Sequence, residues 1–284
     1  MTSQRVDLFP ASGLVIVAVL AAGSAVAQDA KRGISNVAGD VYRFQNNFHY
    51  SLVTVTDDGV VIVDPINAEA AQWLKDNLGT VTDQPISHLI YSHSHLDHAS
   101  GGSVYADDGI PVIAQANAPA DIDGVKPTER FDDTMTIDVG GKTFELTYLG
   151  EGHGIDLIAV VVRPENVGFI TDAAAPKRLP FRDMPNSDID GWIDQIKKVE
   201  SLDFEIFAPA HGNLGVKADA TDARVYMETL RERVLAGLKE GKNVDELAAS
   251  VTMDDYQDWG QYDAWRELNV RGMARFLVQT DQVN

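Results

Sequence analysis

The 284-residue chain contains no cysteine. No disulfide therefore staples it, no thiol can act as a nucleophile, and any metal it binds must be held by nitrogen and oxygen. Cations are scarce: 23 lysines and arginines stand against 43 aspartates and glutamates, a net charge of −20. No Lys/Arg-rich run offsets that field, which repels phosphate backbones and anionic membranes and so argues against nucleic acid as a partner and a nuclease as a function. No Gly-x-Ser-x-Gly sequence is available to build a serine nucleophile. Internal repeats and low-complexity segments are absent too. The one sustained apolar run, residues 14–22, is too short to span a bilayer comfortably. Ala25-Val26-Ala27 follows it as a small-x-small cleavage signature, and polar Gln28-Asp29 comes next. Arg5 is the only basic residue ahead of the run and Asp7 opposes it, so an uncleaved anchor is the alternative. The expectation is a signal peptide over residues 1–27, a periplasmic or secreted location, no membrane association after cleavage, and a mature chain of about 257 residues over 28–284.

What the chain does have is concentrated histidine. Of seven histidines, three fall in the six-residue stretch His93-Ser94-His95-Leu96-Asp97-His98, together with a carboxylate. Residues 86–91 before it read as a short apolar strand, and Ala99-Ser100-Gly101-Gly102 after it offers a turn and then a helix start. Metal-capable side chains on a loop at the C-terminal end of a strand stand where open sheets build their sites. Two further histidines share that context: His153 within Gly150-Glu151-Gly152-His153-Gly154, and His211 within Pro209-Ala210-His211-Gly212. Asp172 closes the strand pattern of residues 167–171, where a helix N-cap is the competing role.

The remaining pattern is β-rich at first and helical at the end. Strands are expected over residues 41–44, 50–56, 59–63, 86–91, 111–114, 135–139, 143–148, 157–163, 167–171 and 205–209, with Asp57-Asp58-Gly59 as a hairpin turn. Helices are expected over 68–78 with a stop at Gly79, from Ser187 with Trp192, Ile193, Ile196 and Val199 inward, and over 221–238 with Val225, Tyr226, Leu230, Val234 and Leu238 on one face. Two more follow near 244–251 and 264–278. Two successive batches of strands with helices between them imply an α/β (α+β) fold, a four-layer αββα sandwich of two mixed sheets with helices on the outer faces. One domain with a helical extension over about 219–284 is the simplest organisation.

In its order of His-x-His-x-Asp-His, a later Gly-His, a strand-end Asp and a final His-Gly, the chain resembles the metallo-β-lactamase superfamily from about residue 41 to His211. The resemblance implies a first metal held by His93, His95 and His153, a second by Asp97, His98 and His211, and Asp172 bridging them. It implies two zinc ions, although ligands that are all nitrogen and oxygen would also accept iron or manganese. Three ligands for each ion besides the bridging carboxylate leave room for a water, as catalytic sites require, and a shared water can be deprotonated near neutral pH. Asp97 has a second role open to it in orienting that hydroxide. Asp64, in Val61-Ile62-Val63-Asp64-Pro65, resembles the family's early strand-end acid and would brace the ligand loop; a turn-forming Asp before proline is the alternative. His49 and His88 stay outside the ligand set. The His49 hairpin, with Phe44, Phe48 and Tyr50, offers an aromatic wall.

The chain departs from the best-known zinc β-lactamases. One subclass has a cysteine at the strand end and an arginine after the motif aspartate, where this chain has Asp172 and His98; another has the histidine but generally lacks a bridging carboxylate. The bridging Asp resembles the glyoxalase II and lactonase branches. Expected export and the cations Lys177, Arg178 and Arg182, placed to anchor an anionic small-molecule substrate, favour β-lactam hydrolysis as the leading single activity. A lactonase or thioesterase is the runner-up, and a non-catalytic exported metal-binding accessory protein is the reading from a different class. Tyr256, Trp259, Tyr262 and Trp265 are expected to pack into the core, with a dimer surface or a lid as alternatives; oligomeric state is left open.

Overall fold

The computed structural model describes residues 30–283. The expected export signal at residues 1–27 lies outside them. Arg32–Ala38 (β1), Val41–Asn46 (β2), His49–Thr56 (β3) and Gly59–Val63 (β4) form an antiparallel meander. Helix α1 (Ala68–Asn77) then carries the chain across to Ile86–Ile90 (β5), which pairs parallel to β4. Two one-turn helices, α2 (Leu96–Ala99) and α3 (Ser103–Ala106), precede Val112–Gln115 (β6) and Glu129–Phe131 (β7), both parallel additions. The result is a seven-stranded sheet in chain order, antiparallel in its first half and parallel in its second.

The second sheet has six strands: Thr134–Val139 (β8), Lys142–Tyr148 (β9), Ile158–Arg163 (β10), Val167–Ile170 (β11), Ile206–Pro209 (β12) and Gly215–Val216 (β13), ordered β13-β12-β11-β10-β9-β8. Only β11 and β12 run parallel, and their crossover contains α4 (Ile189–Ser201). The outer layer is completed by α5 (Ala218–Lys239), α6 (Val244–Ser250) and α7 (Tyr262–Gln279).

Three apolar layers hold this together. Between the sheets lie Leu52, Val61, Val63 and Ile90 from one and Phe144, Leu146, Val160 and Phe169 from the other. The outer face of the first sheet buries Val53, Ile62 and Leu89 under Ala70, Ala71 and Leu74 of α1 and under Tyr105 of α3. The outer face of the second buries Ala159, Val161 and Ile170 under α4, α5 and α7. Strand β10 shows the consequence in sequence: covered on both faces, it reads Ile-Ala-Val-Val-Val without alternation. The expected αββα sandwich is thus the observed one, and the C-terminal helices form its fourth layer.

Local differences have local causes. Helix α4 starts at Ile189 because the Asp188 side chain accepts from Gly191 N, two residues later than the expected start. The turn of α2 begins inside the histidine cluster, at Leu96, and ends at Ser100. Val225 points outward, 40% exposed, while Ala223 and Met227 turn inward with Tyr226 and Leu230. Strands β1, β7 and β13 carry too little apolar alternation to announce themselves. No helix among the described residues is long and apolar enough to cross a membrane.

Phe144→Ala should open a cavity between the sheets and cost about 3–5 kcal/mol of unfolding free energy, whereas Val225→Ala on the exposed face should stay within about 0.5 kcal/mol. Denaturant titration of both variants checks this; equal effects would mean that the inter-sheet layer is not the stabilising core.

Candidate metal centre and its cavity

Five strands deliver the polar residues to one edge of the sandwich. Asp64 follows β4, the cluster His93–His98 follows β5, His153 follows β9, Asp172 follows β11 and His211 follows β12. Their donor atoms converge in two groups that share one residue. His93, His95, His153 and Asp172 form the first group; Asp97, His98, Asp172 and His211 form the second, and in each all donor atoms lie within 4.8 Å of one another. In the first, His153 Nε2 stands 3.2 Å from His95 Nδ1 and 3.2 Å from Asp172 Oδ2, and His93 Nε2 is 3.7 Å from the same oxygen. In the second, His98 Nε2 and His211 Nε2 are 3.2 Å apart, at 3.4 and 3.2 Å from Asp172 Oδ1, and Asp97 Oδ2 lies 3.7 Å from His98 Nε2. Asp172 therefore turns one carboxylate oxygen to each group.

This donor set fits divalent cations. Donors about 2.0–2.2 Å from a zinc ion stand about 3.3 Å apart or more; the nearest donors here are 3.2–3.7 Å apart and each group lies within 4.8 Å. His93 Nε2 is fully buried and has no hydrogen-bond partner, an expensive orphan unless something electrophilic meets it. Burial pushes the His93 imidazole well below its ordinary pKa, so it presents a neutral lone pair.

The far sides of the rings are fixed by partners that set their tautomers. Asp64, wholly buried and at φ +65°, accepts from Ser92 N and Ser92 Oγ at 2.7 Å each, and from His98 Nδ1 at 3.2 Å. With its one hydrogen given to Asp64, Ser92 Oγ is left to accept from His93 Nδ1 at 2.9 Å. His211 Nδ1 donates to the Phe48 carbonyl at 3.0 Å. In a neutral ring each of these bonds leaves an Nε2 lone pair facing inward, the arrangement that orients metal-ligating histidines. Burial opposes charge on His98, but Asp172 and Asp64 raise its pKa well above the ordinary value, so a metal bound there would displace a proton. His153 is held through its backbone: its N–H donates to Gln195 Oε1 at 2.8 Å, and Gln195 Nε2 donates to Gly150 O at 2.7 Å.

The structure brings His93, His95, Asp97, His98, His153, Asp172 and His211 together and sets Asp64 directly behind them. Asp172 caps no helix. His49 is not one of the donors in either group, yet its Nε2 lies 3.3 Å from Asp97 Oδ2 and its ring meets that of His211 edge-on. Burial alone would raise the Asp97 pKa; the His49 hydrogen bond and the His98 charge hold it at about 2. His88 sits apart on β5, bonded to Ser87. Lys177 is exposed with φ +46° and is not among the residues lining the cavity, whereas Arg178 is. Arg182 is exposed as well. Ser92 and Gln195 were invisible to sequence reasoning, because a serine beside a histidine and a glutamine inside a helix carry no signal of their partners.

The donors open into a cavity of about 650 Å³. Its polar end is His49, His95, Asp97, His153 and Asp172; its other walls are Phe48, Phe181, Met184, Trp192, Trp259 and Trp265. Of the aromatic wall expected from the His49 hairpin, Phe48, at the β2–β3 turn and 77% exposed, lines the cavity beside His49, whereas Phe44 is buried against Trp73 on the outer face of the first sheet and Tyr50 lies under the Arg43 guanidinium. The C-terminal aromatics divide: Tyr256 and Trp259 pack against Tyr226 in the outer layer, while Trp259 and Trp265 also face the cavity.

The family model described as the metallo-beta-lactamase superfamily matches residues 46–211. The alpha subunit of 2,4-dinitroanisole O-demethylase from Nocardioides sp. (strain JS1661) is 25% identical over 254 residues, 80% of this chain and 77% of that protein. Metallo-beta-lactamase IND-1 from Chryseobacterium indologenes is 27% identical over 158 residues, 53% of this chain and 65% of its own length. Among solved structures, a metallo-beta-lactamase from Pontibacter korlensis superposes with a TM-score of 0.63 at 18% identity, covering 70% of this chain and 99% of that one. The stereoselective inverting sec-alkylsulfatase Pisa1 from Pseudomonas sp. gives 0.69 at 16% identity and covers 87% of this chain, which spans 50% of it. These structures share the fold.

Replacing Asp64 by Ala strands Ser92 N–H and frees the His98 ring. Metal affinity should fall by about 10–100-fold, read by competition with a chromophoric chelator; unchanged affinity would mean that Asp64 only shapes the turn.

Proposed function

The chain belongs to the metallo-beta-lactamase superfamily, and from that membership we propose that it is a hydrolase dependent on two divalent metal ions, zinc first among them, with iron or manganese compatible with its nitrogen and oxygen donors. The observation that carries this reading is the pair of four-donor groups sharing Asp172 at the polar end of a cavity whose other walls are mostly apolar. His93, His95 and His153 would hold one ion, Asp97, His98 and His211 the other, with Asp172 between them. Bound there, such ions supply Lewis acidity and bring the pKa of water toward neutrality.

The chain's own residues do the rest. Asp97, ionised throughout the working pH range and braced by His49, offers an acceptor that orients the attacking water. A substrate lying against the aromatic walls would displace solvent and strengthen charge interactions at the polar end. No serine or cysteine nucleophile is needed. Arg178 gives an anionic substrate a counter-charge within the same cavity.

For the bond cleaved, β-lactam hydrolysis remains the leading single activity. A strained cyclic amide bearing a carboxylate suits both ends of the cavity, and export would place the enzyme where such compounds arrive. A second reading, hydrolysis of a lactone, thioester or aryl ether, draws support from the cavity's aromatic far wall. Trp259 and Trp265 belong to segments beyond residue 211, outside the stretch that matches the family model. The relative matching over 80% of the chain is an O-demethylase. A non-catalytic accessory role would leave the metals bound and nothing turned over.

Steady-state assays on metal-quantified protein with nitrocefin, a lactone, an aryl thioester and an aryl methyl ether, each with and without chelator, separate these readings. Chelator-sensitive turnover is expected, and none on any substrate with two metals bound would favour the accessory role. Asp97→Ala should lower kcat by at least about 10²-fold with the circular dichroism unchanged; full activity would sink the mechanism. Asp172→Ala should reduce bound metal from two ions toward one by elemental analysis, and an unchanged ratio would rule out the bridge.

A further inference from the structure

The far ring nitrogens of three donor histidines meet polar atoms: Ser92 Oγ for His93, Asp64 for His98 and the Phe48 carbonyl for His211. His153 breaks that pattern. Its Nε2 faces His95 Nδ1 and Asp172 Oδ2, while its Nδ1 is fully buried and has no hydrogen-bond partner. A ligand at Nε2 leaves the ring's one proton on Nδ1, so a buried N–H stands without an acceptor. Such a group is costly, and protein interiors rarely keep one. What lies against the ring is Trp192. The two ring centroids are 4.6 Å apart with their planes inclined at 63°, an edge-to-face contact. Trp192 is 3% exposed, and its indole N–H donates to the Ala173 carbonyl at 2.8 Å, which fixes the ring.

Helix α4 meets the His153 loop with no side chain between them. An added Cβ on Gly152 would collide with Trp192 N, and one on Gly191 with Glu151 O. Asp188 N donates to Gly152 O at 3.2 Å across the same seam. From this close seat two residues three apart on one helix face reach the same histidine. Gln195 takes its backbone N–H, and Trp192 covers its ring. The indole also bonds to Ala173, the residue after Asp172, so one side chain touches two parts of the first donor group. Plain core filling is the alternative, and a leucine would serve it. That account leaves the His153 Nδ1–H unanswered and gives no reason for the indole N–H to end on the Asp172 segment.

We propose that Trp192 is the positioning residue of the first donor group: its π face receives the His153 Nδ1–H, and its own N–H fixes the chain beside Asp172. An indole face carries the negative lobe of the ring quadrupole, so it accepts an N–H weakly and attracts positive charge more strongly. An imidazole that shares its lone pair with a cation takes up part of that charge, which strengthens the contact when the group is loaded. The inference rests on reading the donors as a metal centre and is independent of the bond that centre cleaves.

The test is proton–nitrogen NMR of the zinc-loaded, isotope-labelled full chain. A proton over an indole face is shielded by the ring current, whereas one pointing at oxygen is not. The His153 Nδ1–H should therefore resonate upfield of the imidazole N–H protons of His93, His98 and His211, and should exchange slowly with water. Trp192→Leu should abolish the shielding and cost the His153 site about tenfold in zinc affinity, read by chelator competition. Trp192→Phe, which keeps a π face and loses the bond to Ala173, should keep the shielding and lose about threefold. A wild-type His153 N–H at the downfield position of an oxygen-bonded imidazole, or in fast exchange with water, overturns the proposal, and that measurement needs no variant to fold. Unchanged shift and affinity in a folded Trp192→Leu protein overturn it equally. A chain that takes up no zinc loses the metal reading and this inference together; one that takes up two ions with the N–H downfield loses this inference alone.

Discussion

Everything at the polar edge depends on one buried carboxylate that touches no substrate. Asp64 stands at the end of β4 with no solvent exposure and spends its two oxygens on Ser92 N, Ser92 Oγ and His98 Nδ1. An unpaired carboxylate there would be prohibitively costly, and Ser92 and His98 supply its donors at 2.7–3.2 Å. Ser92 in turn fixes His93. A single desolvated charge thus imposes order on a loop that carries four donor side chains in six residues, and the backbone accepts a left-handed φ at Asp64 to allow it.

The molecule separates two tasks along its length. Residues up to His211 supply all but one strand of the two sheets and bring the donors to one edge; the helices beyond complete the outer layer, line the apolar end of the cavity and hold the Arg178 loop. Two relatives at similar identity, an O-demethylase subunit and a metallo-beta-lactamase, carry names that describe different reactions. A frame that positions polar side chains can stay constant while the walls change the molecules admitted.

Much of this was legible in the chain because strong local signals coincide with the elements that matter. The central strands are apolar enough, and the hairpin turn at Asp57-Asp58-Gly59 distinct enough, that the two sheets and the strand-end position of every donor follow from pattern alone. Edge strands β1, β7 and β13 escaped because half-exposed or two- and three-residue pairings need tertiary contact to define them. Ser92 and Gln195 escaped for a related reason: Gln195 meets His153 across 42 residues, a distance no local pattern encodes.

The order of the strands has a consequence for how the chain is made. All seven strands of the first sheet precede all six of the second, and none crosses between them. A chain emerging from its N-terminus can therefore complete one sheet while the apolar face carrying Leu52, Val61, Val63 and Ile90 still has nothing to cover it. That half-finished slab is the sticky species of biosynthesis, and it persists until the β9–β10 hairpin emerges and closes over it. The polar edge, drawn from both slabs, comes into being only at that closure, so an assembled donor cluster certifies that both halves have met.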